Sequence, residues 1–182
     1  TQADLATTSD QVTDSMSAMG VGIDDLQGYL DVIVTTNNKA NTTAADLMDA
    51  FIGCGGAARA AGMNYKETST ALGILANNGI KGSEAGTALN SMLVRISTKD
   101  VAQKAFKDLG VAVYDSSGEM RNMRDILVDL NGAMAGMTQE QKNSYMSAIA
   151  GTNYYSQFGY LLDGVKEGVN GSASAWDELA GA

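Results

Sequence analysis

Four stretches of this sequence carry residue types at spacings that could do chemistry. Gly53-Cys54-Gly55-Gly56-Ala57-Ala58 has the G-x-G-x-x-A pattern of a dinucleotide-binding turn, where glycines let the backbone approach a pyrophosphate. That chemistry needs a strand leading in and an acidic residue about 20 positions on within a βαβ unit. Neither is present, and small residues on one helix face instead let two helices approach closely. Gly79-Ile80-Lys81-Gly82-Ser83-Glu84-Ala85-Gly86-Thr87 combines glycines with a lysine, as a phosphate loop does. In a phosphate loop the lysine directly follows the last glycine and precedes Ser or Thr; here Lys81 precedes Gly82, and Glu84 would repel a phosphate, so a helix start is expected. Asp115-Ser116-Ser117-Gly118-Glu119 places two carboxylates around a turn, too few for a calcium loop with ligands at fixed alternate positions. Asp24-Asp25 is an acid pair, but neighbours on a helix point in different directions and cannot flank one glycosidic bond.

The residue types that are missing narrow the chemistry further. The 182 residues include no histidine, no proline and one cysteine. Without histidine the commonest general base and metal ligand is absent, and a zinc site would have to be built largely of carboxylates. Cys54 has no partner for an intrachain disulfide, and its apolar setting, Phe51-Ile52-Gly53-Cys54, predicts a buried, inert thiol. Twelve basic against 21 acidic residues leave a net charge of −9, which repels a phosphate backbone and removes counterion release as a driving force. No apolar run reaches the roughly 20 residues of a membrane span. No cofactor, metal or catalytic residue is therefore assigned. The chain opens on Thr1-Gln2 and closes on Gly181-Ala182. We read it as a piece of a longer protein, with a tag or processing as the other explanation of its start.

The elements that would position any site are helices. Leu47, Phe51, Cys54 and Ala58 share one helical face, as do Ala85, Leu89, Met92, Leu93 and Ile96. Met123, Ile126, Leu127, Leu130 and Met134 form a third stripe; Tyr155, Phe158, Leu161, Leu162 and Val165 form a fourth. Segments this short are not stable alone in water, so each stripe must bury against a neighbour. The seven tyrosines, two of them adjacent at Tyr154-Tyr155, are expected mostly in this core.

Between the stripes one corner recurs: glycine, an apolar residue, and an acid or amide five positions after the glycine. It stands at Gly20-Val21…Asp25, Gly62-Met63…Glu67, Gly79-Ile80…Glu84 and Gly136-Met137…Gln141. Glycine can close a helix in the left-handed conformation, and the apolar residue packs back across the corner. The N-cap of the next helix then falls two residues after the glycine. Asn64 with Glu67 and Thr138 with Gln141 fit a capping box, while Gly22 and Lys81 are poorer caps. The glycines are unevenly spaced, so no solenoid is expected. Val111-Ala112-Val113-Tyr114, followed by Asp115-Ser116-Ser117-Gly118, predicts a small hairpin or an extended corner over 111–121. Beyond Gly164 the glycines and serines Gly168, Gly171, Ser172 and Ser174 surround a lone Trp176. The expected organisation is an all-α, compact bundle of short helices over 1–165 and a loosely packed exit segment over 166–182.

The string Leu75-Ala76-Asn77-Asn78-Gly79-Ile80-Lys81-Gly82-Ser83-Glu84-Ala85-Gly86-Thr87-Ala88-Leu89 resembles the most distinctive motif of phage tail tape measure proteins. Ser91–Ile96, Leu109–Asp115, Gly118–Arg121 and Asp125–Leu130 follow in that family's order, and Tyr29–Ile33, Thr35–Thr43, Ala57-Ala58 and Gly62 resemble it upstream. The likeness spans about residues 5 to 165; the Cys54-Gly55-Gly56 cluster is more glycine-rich than the family pattern. The residues of the motif are Gly79, Ile80, Gly82, Glu84, Ala85, Gly86, Thr87 and Leu89; Gly20, Gly62, Asn64, Glu67, Gly136, Thr138 and Gln141 build the corners. The resemblance implies a structural tail protein, found in the tube lumen of the virion and in the host cytoplasm during assembly. It would set tail length while tube subunits polymerise around it, touching those subunits, assembly chaperones and other copies of itself. Two other readings are a fragment associated with a cell-wall hydrolase and a membrane-active helical domain. The missing histidine speaks against the first, and the short, glycine-interrupted stripes speak against the second.

Overall fold

Left-handed glycines set where several of the helices stop. In the computed structural model, which describes residues 2–168 and 173–181, α1 (Gln2–Met19) is followed by a 3-10 turn at Ile23–Asp25. Then come α2 (Leu26–Lys39), α3 (Ala44–Ala60), α4 (Tyr65–Asn77), α5 (Gly82–Thr98) and α6 (Asp100–Asp108). The chain continues through α7 (Met123–Ala133), α8 (Gln139–Ala150), α9 (Tyr155–Gly164) and α10 (Ala175–Ala180). Among the described residues there is no strand. The corner at 111–121 carries a single antiparallel bridge, Tyr114 with Met120.

The four corner glycines have φ of +67° (Gly20), +72° (Gly62), +88° (Gly79) and +80° (Gly136). At the first three, paired backbone bonds make a Schellman motif: Val21 N–H to Met16 with Gly20 N–H to Ser17, Met63 to Ala58 with Gly62 to Arg59, and Ile80 to Leu75 with Gly79 to Ala76. Gly136 is simpler, with Met137 donating to Met134. A further Schellman corner, at Gly110 (φ +69°), escaped the sequence reading because no capped helix follows it. Gly22, Asn64, Lys81 and Thr138 are the N-caps, each two residues past its glycine. Thr138 and Gln141 form the reciprocal box, and Asn64 accepts from the Glu67 amide at 2.9 Å. The expected box at Asn64 is only half made, because the Glu67 carboxylate is bound elsewhere. Nothing lies within 4 Å of a Cβ built on Gly79. Gly79→Val should therefore cost only the left-handed penalty, roughly 1–2 kcal/mol, and a thermal melt that does not move would remove the corner's role in stability.

Helices α1, α3 and α5 lie side by side and run parallel. Gln11 of α1 donates to Asp49 of α3, and about two turns further along both helices Gly55 meets the backbone of Ala18. Likewise Gly82 faces Asp46 and Gly86 faces Ala50. Helices α2 and α4 return beneath them, α8 packs on α5, α6 on α8, and α9 and α10 on α4. Three of the expected stripes are buried throughout; in the fourth, Phe158, Leu161, Leu162 and Val165 are buried but Tyr155 is exposed. Tyr155 is the first residue of α9.

Most tyrosines also depart from expectation. Only Tyr29 is fully buried; Tyr65, Tyr145, Tyr154 and Tyr160 lean half-buried on the core, and Tyr114 and Tyr155 are exposed. A phenol can cover apolar neighbours while its hydroxyl stays in water.

The tail needs correction too. Gly171 and Ser172 lie outside the described residues, but Ala175–Ala180 is a docked helix and not a loose exit. Trp176 and Leu179 are buried at i, i+3, and Leu179 enters a notch between Gly73, Thr36 and Ala40. Ser174 caps the helix, and Arg124 grips Asp177 with two bonds of 2.8 and 2.9 Å.

Candidate functional site

The motif at 75–89 is a seam that joins three segments. Gly79 and Ile80 form the corner, with Ile80 half-buried, and Gly82 (φ +54°) opens α5. Lys81 donates to the Asn41 side chain at 2.9 Å, while the Asn41 amide donates to Asn77 at 2.8 Å. These bonds hold the link that leads into α3, whose N-cap Thr43 accepts from Asp46 at 3.1 Å. Ala85 and Leu89 are buried, while Glu84 and Thr87 face solvent. Gly86 is the closest point: a Cβ there would stand 2.5 Å from the Ala50 carbonyl oxygen and 3.0 Å from its Cα. Lys81, the residue that suggested phosphate chemistry, is therefore engaged in tying two loops together.

The second glycine cluster works with the first. A Cβ on Gly53 would stand 3.4 Å from the Gly86 backbone and one on Gly55 2.7 Å from that of Ala18, whereas one on Gly56 would meet nothing within 4 Å. All three lie inside α3, and Gly53 and Gly55 make the dinucleotide pattern a close-packing device. Burial pushes the Cys54 thiol up to about 12, which keeps it protonated and non-nucleophilic at neutral pH.

The candidate acids are spread apart. Asp115 accepts from the Ser117 hydroxyl and from the Ser117 and Glu119 amides, at 2.7, 2.8 and 3.0 Å; these bonds hold it below the usual carboxylate range. Asp25 accepts from the Tyr65 hydroxyl at 2.8 Å. Among the described residues no group of three or more Asp, Glu, Cys or His converges as a metal site would require. The hollow of about 370 Å³ between α7, α8 and α9 holds one carboxylate, Asp163, bound to Lys166.

Two polar links were missed by sequence reasoning. Arg95 donates to the carbonyls of Ile149 and Ala148, closing the C-terminus of α8. Glu67, on α4, accepts from the Met123 amide at 2.9 Å, the first orphan donor of α7. No local pattern reveals either, because the partners are more than fifty positions apart.

Burial raises the Glu67 carboxyl above its ordinary value of about 4.5, the Met123 amide counters this, and Asp125 adds to it. The folded state then holds its proton more tightly than the unfolded one. Stability should thus fall as pH rises from about 4.5 through the folded pKa, and Glu67's ionised form is the costlier one at neutral pH. Glu67→Gln keeps the acceptor and should match or exceed the parent at pH 7 with that pH slope removed. Glu67→Ala orphans the amide and should cost about 1–2 kcal/mol. Equal denaturant midpoints for Gln and Ala variants would remove the bond from the account.

A parallel array of close-packed helices, with its polar motif residues spent on internal ties, defines a helical packing and interaction module. Comparison with known proteins gives the class a family. The family model for the phage-related minor tail protein matches residues 1–151, and the chain belongs to that family. It is 34% identical over 161 residues to the tape measure protein of Pneumococcus phage Dp-1, covering 88% of this chain and 14% of that protein. It is 29% identical over 155 residues to a probable tape measure protein of Escherichia phage P2, covering 84% of this chain and 19% of that one. The chain thus spans less than a fifth of the length of these relatives. No solved structure matches it.

Proposed function

We propose that this segment serves tail assembly and tail-length determination as a structural part of a longer tape measure chain. It does so through helix-mediated contacts with tube subunits, assembly chaperones and further copies of itself. It works in the tube lumen of the virion and, during assembly, in the host cytoplasm. The observation that carries the reading is the likeness to tape measure proteins across 84–88% of the chain. The array supports it, since the motif that marks the likeness serves to pack α5 against α3. The segment carries no catalytic role in this reading, and its net charge of −9 lets it share a lumen with DNA without gripping it.

The test is an in-frame deletion of the segment from the parent gene, with tails measured by electron microscopy. Shortened, irregular or missing tails are expected, and tails of parental length and number would overturn the proposal. Clearing of a cell-wall suspension by the purified chain would overturn its non-enzymatic part.

A further inference from the structure

Helix α10 sits in a groove that the earlier helices build without it. Leu179 enters because Gly73 has no side chain: a Cβ there would stand 3.2 Å from the Leu179 Cδ1, 3.3 Å from the Thr36 methyl and 3.4 Å from the Ala40 Cβ. The Thr36 hydroxyl is paired with that of Ser69 at 2.7 Å, which leaves the notch apolar. Trp176, three residues before Leu179, is buried as well. Charged side chains frame these two anchors. Arg124 of α7 takes both oxygens of Asp177, and Lys39 of α2 donates to the Glu178 carbonyl at 3.0 Å. The groove therefore selects a helical turn with an aromatic residue and a leucine three apart and a carboxylate next to the aromatic.

This hold is specific but short. Six residues make up α10, too few for a helix that is stable alone. A hollow of about 380 Å³, lined by Lys39, Asn77, Ala175, Glu178 and Leu179, stays open along the seam. The chain before it is anchored up to Val165, which is buried, and Gly164 lies against Ile74 of α4. Eight residues, 166–173, separate Val165 from the cap Ser174, and extended they reach roughly 30 Å. Helix α10 follows every other described helix, so the contacts among the others do not run through it.

A second copy carries the same helix, and its fit to this groove is the one the structure displays. We propose that copies of this chain exchange α10, Trp176 and Leu179 of one copy filling the α2–α4 groove of another while Asp177 meets that copy's Arg124. The inference rests on the self-association in the functional reading above and assigns it a surface. Each copy gives and receives the same element, so the exchange closes as a two-fold pair. Within one copy the tether holds α10 over its own groove at an effective concentration on the order of millimolar. Exchange therefore emerges where copies are crowded together or where a copy's own seat is spoiled.

Two variants of the full chain test this. The acceptor carries Trp176→Ala and Leu179→Ala, so its groove is vacant; Trp176 is the chain's one tryptophan, and the acceptor is silent in tryptophan fluorescence. The donor carries Arg124→Glu, which repels Asp177 from its own seat. Each alone should sediment as a monomer, with the donor's emission shifted to the red. Mixed at about 100 µM to about 1 mM, they should form a 1:1 complex in which the donor's emission returns to the blue. Adding Arg124→Glu to the acceptor should weaken that complex roughly tenfold. A synthetic peptide of residues 173–181 has no groove of its own and should bind the acceptor with the same blue shift. Separate monomers in the mixture, or a peptide that leaves the acceptor unbound at about 1 mM, would overturn the exchange. Association that donor and acceptor each show unmixed would overturn this surface and leave self-association standing.

Discussion

Gly86→Ala is expected to destabilise the chain by roughly 2–3 kcal/mol, although alanine is by itself the better helix former by about 1 kcal/mol. The added methyl would stand 2.5 Å from the Ala50 carbonyl oxygen and 3.0 Å from Ala50 Cα. Both atoms are backbone inside a helix, so no rotamer change relieves the clash, and α3 and α5 must separate along the array's most extensive contact. Gly56→Ala is the control. It also sits within a helix, but a Cβ there meets nothing within 4 Å, so it should gain about 0.5–1 kcal/mol. Denaturant midpoints moving in opposite directions for one chemical change would establish that close approach, not helix propensity, decides at Gly86. Two shifts of the same sign would refute it.

The largest loss is expected at Phe51→Ala, about 3–5 kcal/mol. Phe51 is fully buried on α3, and its ring lies 5.7 Å from Tyr29 of α2, which in turn stands 5.7 Å from Tyr65 of α4. Removing it leaves a void where α2, α3 and α4 meet, and rigid helices collapse poorly into such a space. Tyr29→Phe makes the informative contrast. The Tyr29 hydroxyl is buried and makes no well-formed hydrogen bond, while the Ser15 hydroxyl of α1 beside it donates to Val12. Desolvation pushes that phenol up to about 12. Deleting the hydroxyl should be neutral or stabilising by up to about 1 kcal/mol, and chemical denaturation of the two variants would show the opposite signs. A Phe51→Ala loss below about 1 kcal/mol would mean that the three helices are not held by this contact.

The helices and their corners were legible because both are local. A stripe such as Ala85, Leu89, Met92, Leu93 and Ile96 reports its own buried face, and a left-handed glycine acts on residues within one turn. The capping box at Thr138–Gln141 was readable for the same reason, as its two bonds span three positions. Glu67 has the same spacing from Asn64, yet its carboxylate went to Met123, because a distant helix start offered a donor that the local amide had to compete with. The tail shows the same limit: glycines and serines around Trp176 suggested looseness, but Leu179 found a notch that exists only when α2 and α4 are already side by side.

The sequence by itself determined an all-α chain, its corner positions, its acidic surface and its likeness to tape measure proteins, since composition and short-range pattern suffice for these. Tertiary structure alone decided that α1, α3 and α5 run parallel and that Gly55 and Gly86 are contact points while Gly56 is free. It also decided that Leu179 is covered. Each of these depends on which surfaces meet across many positions of chain, and a glycine or a leucine looks the same locally whether or not a neighbour stands beside it.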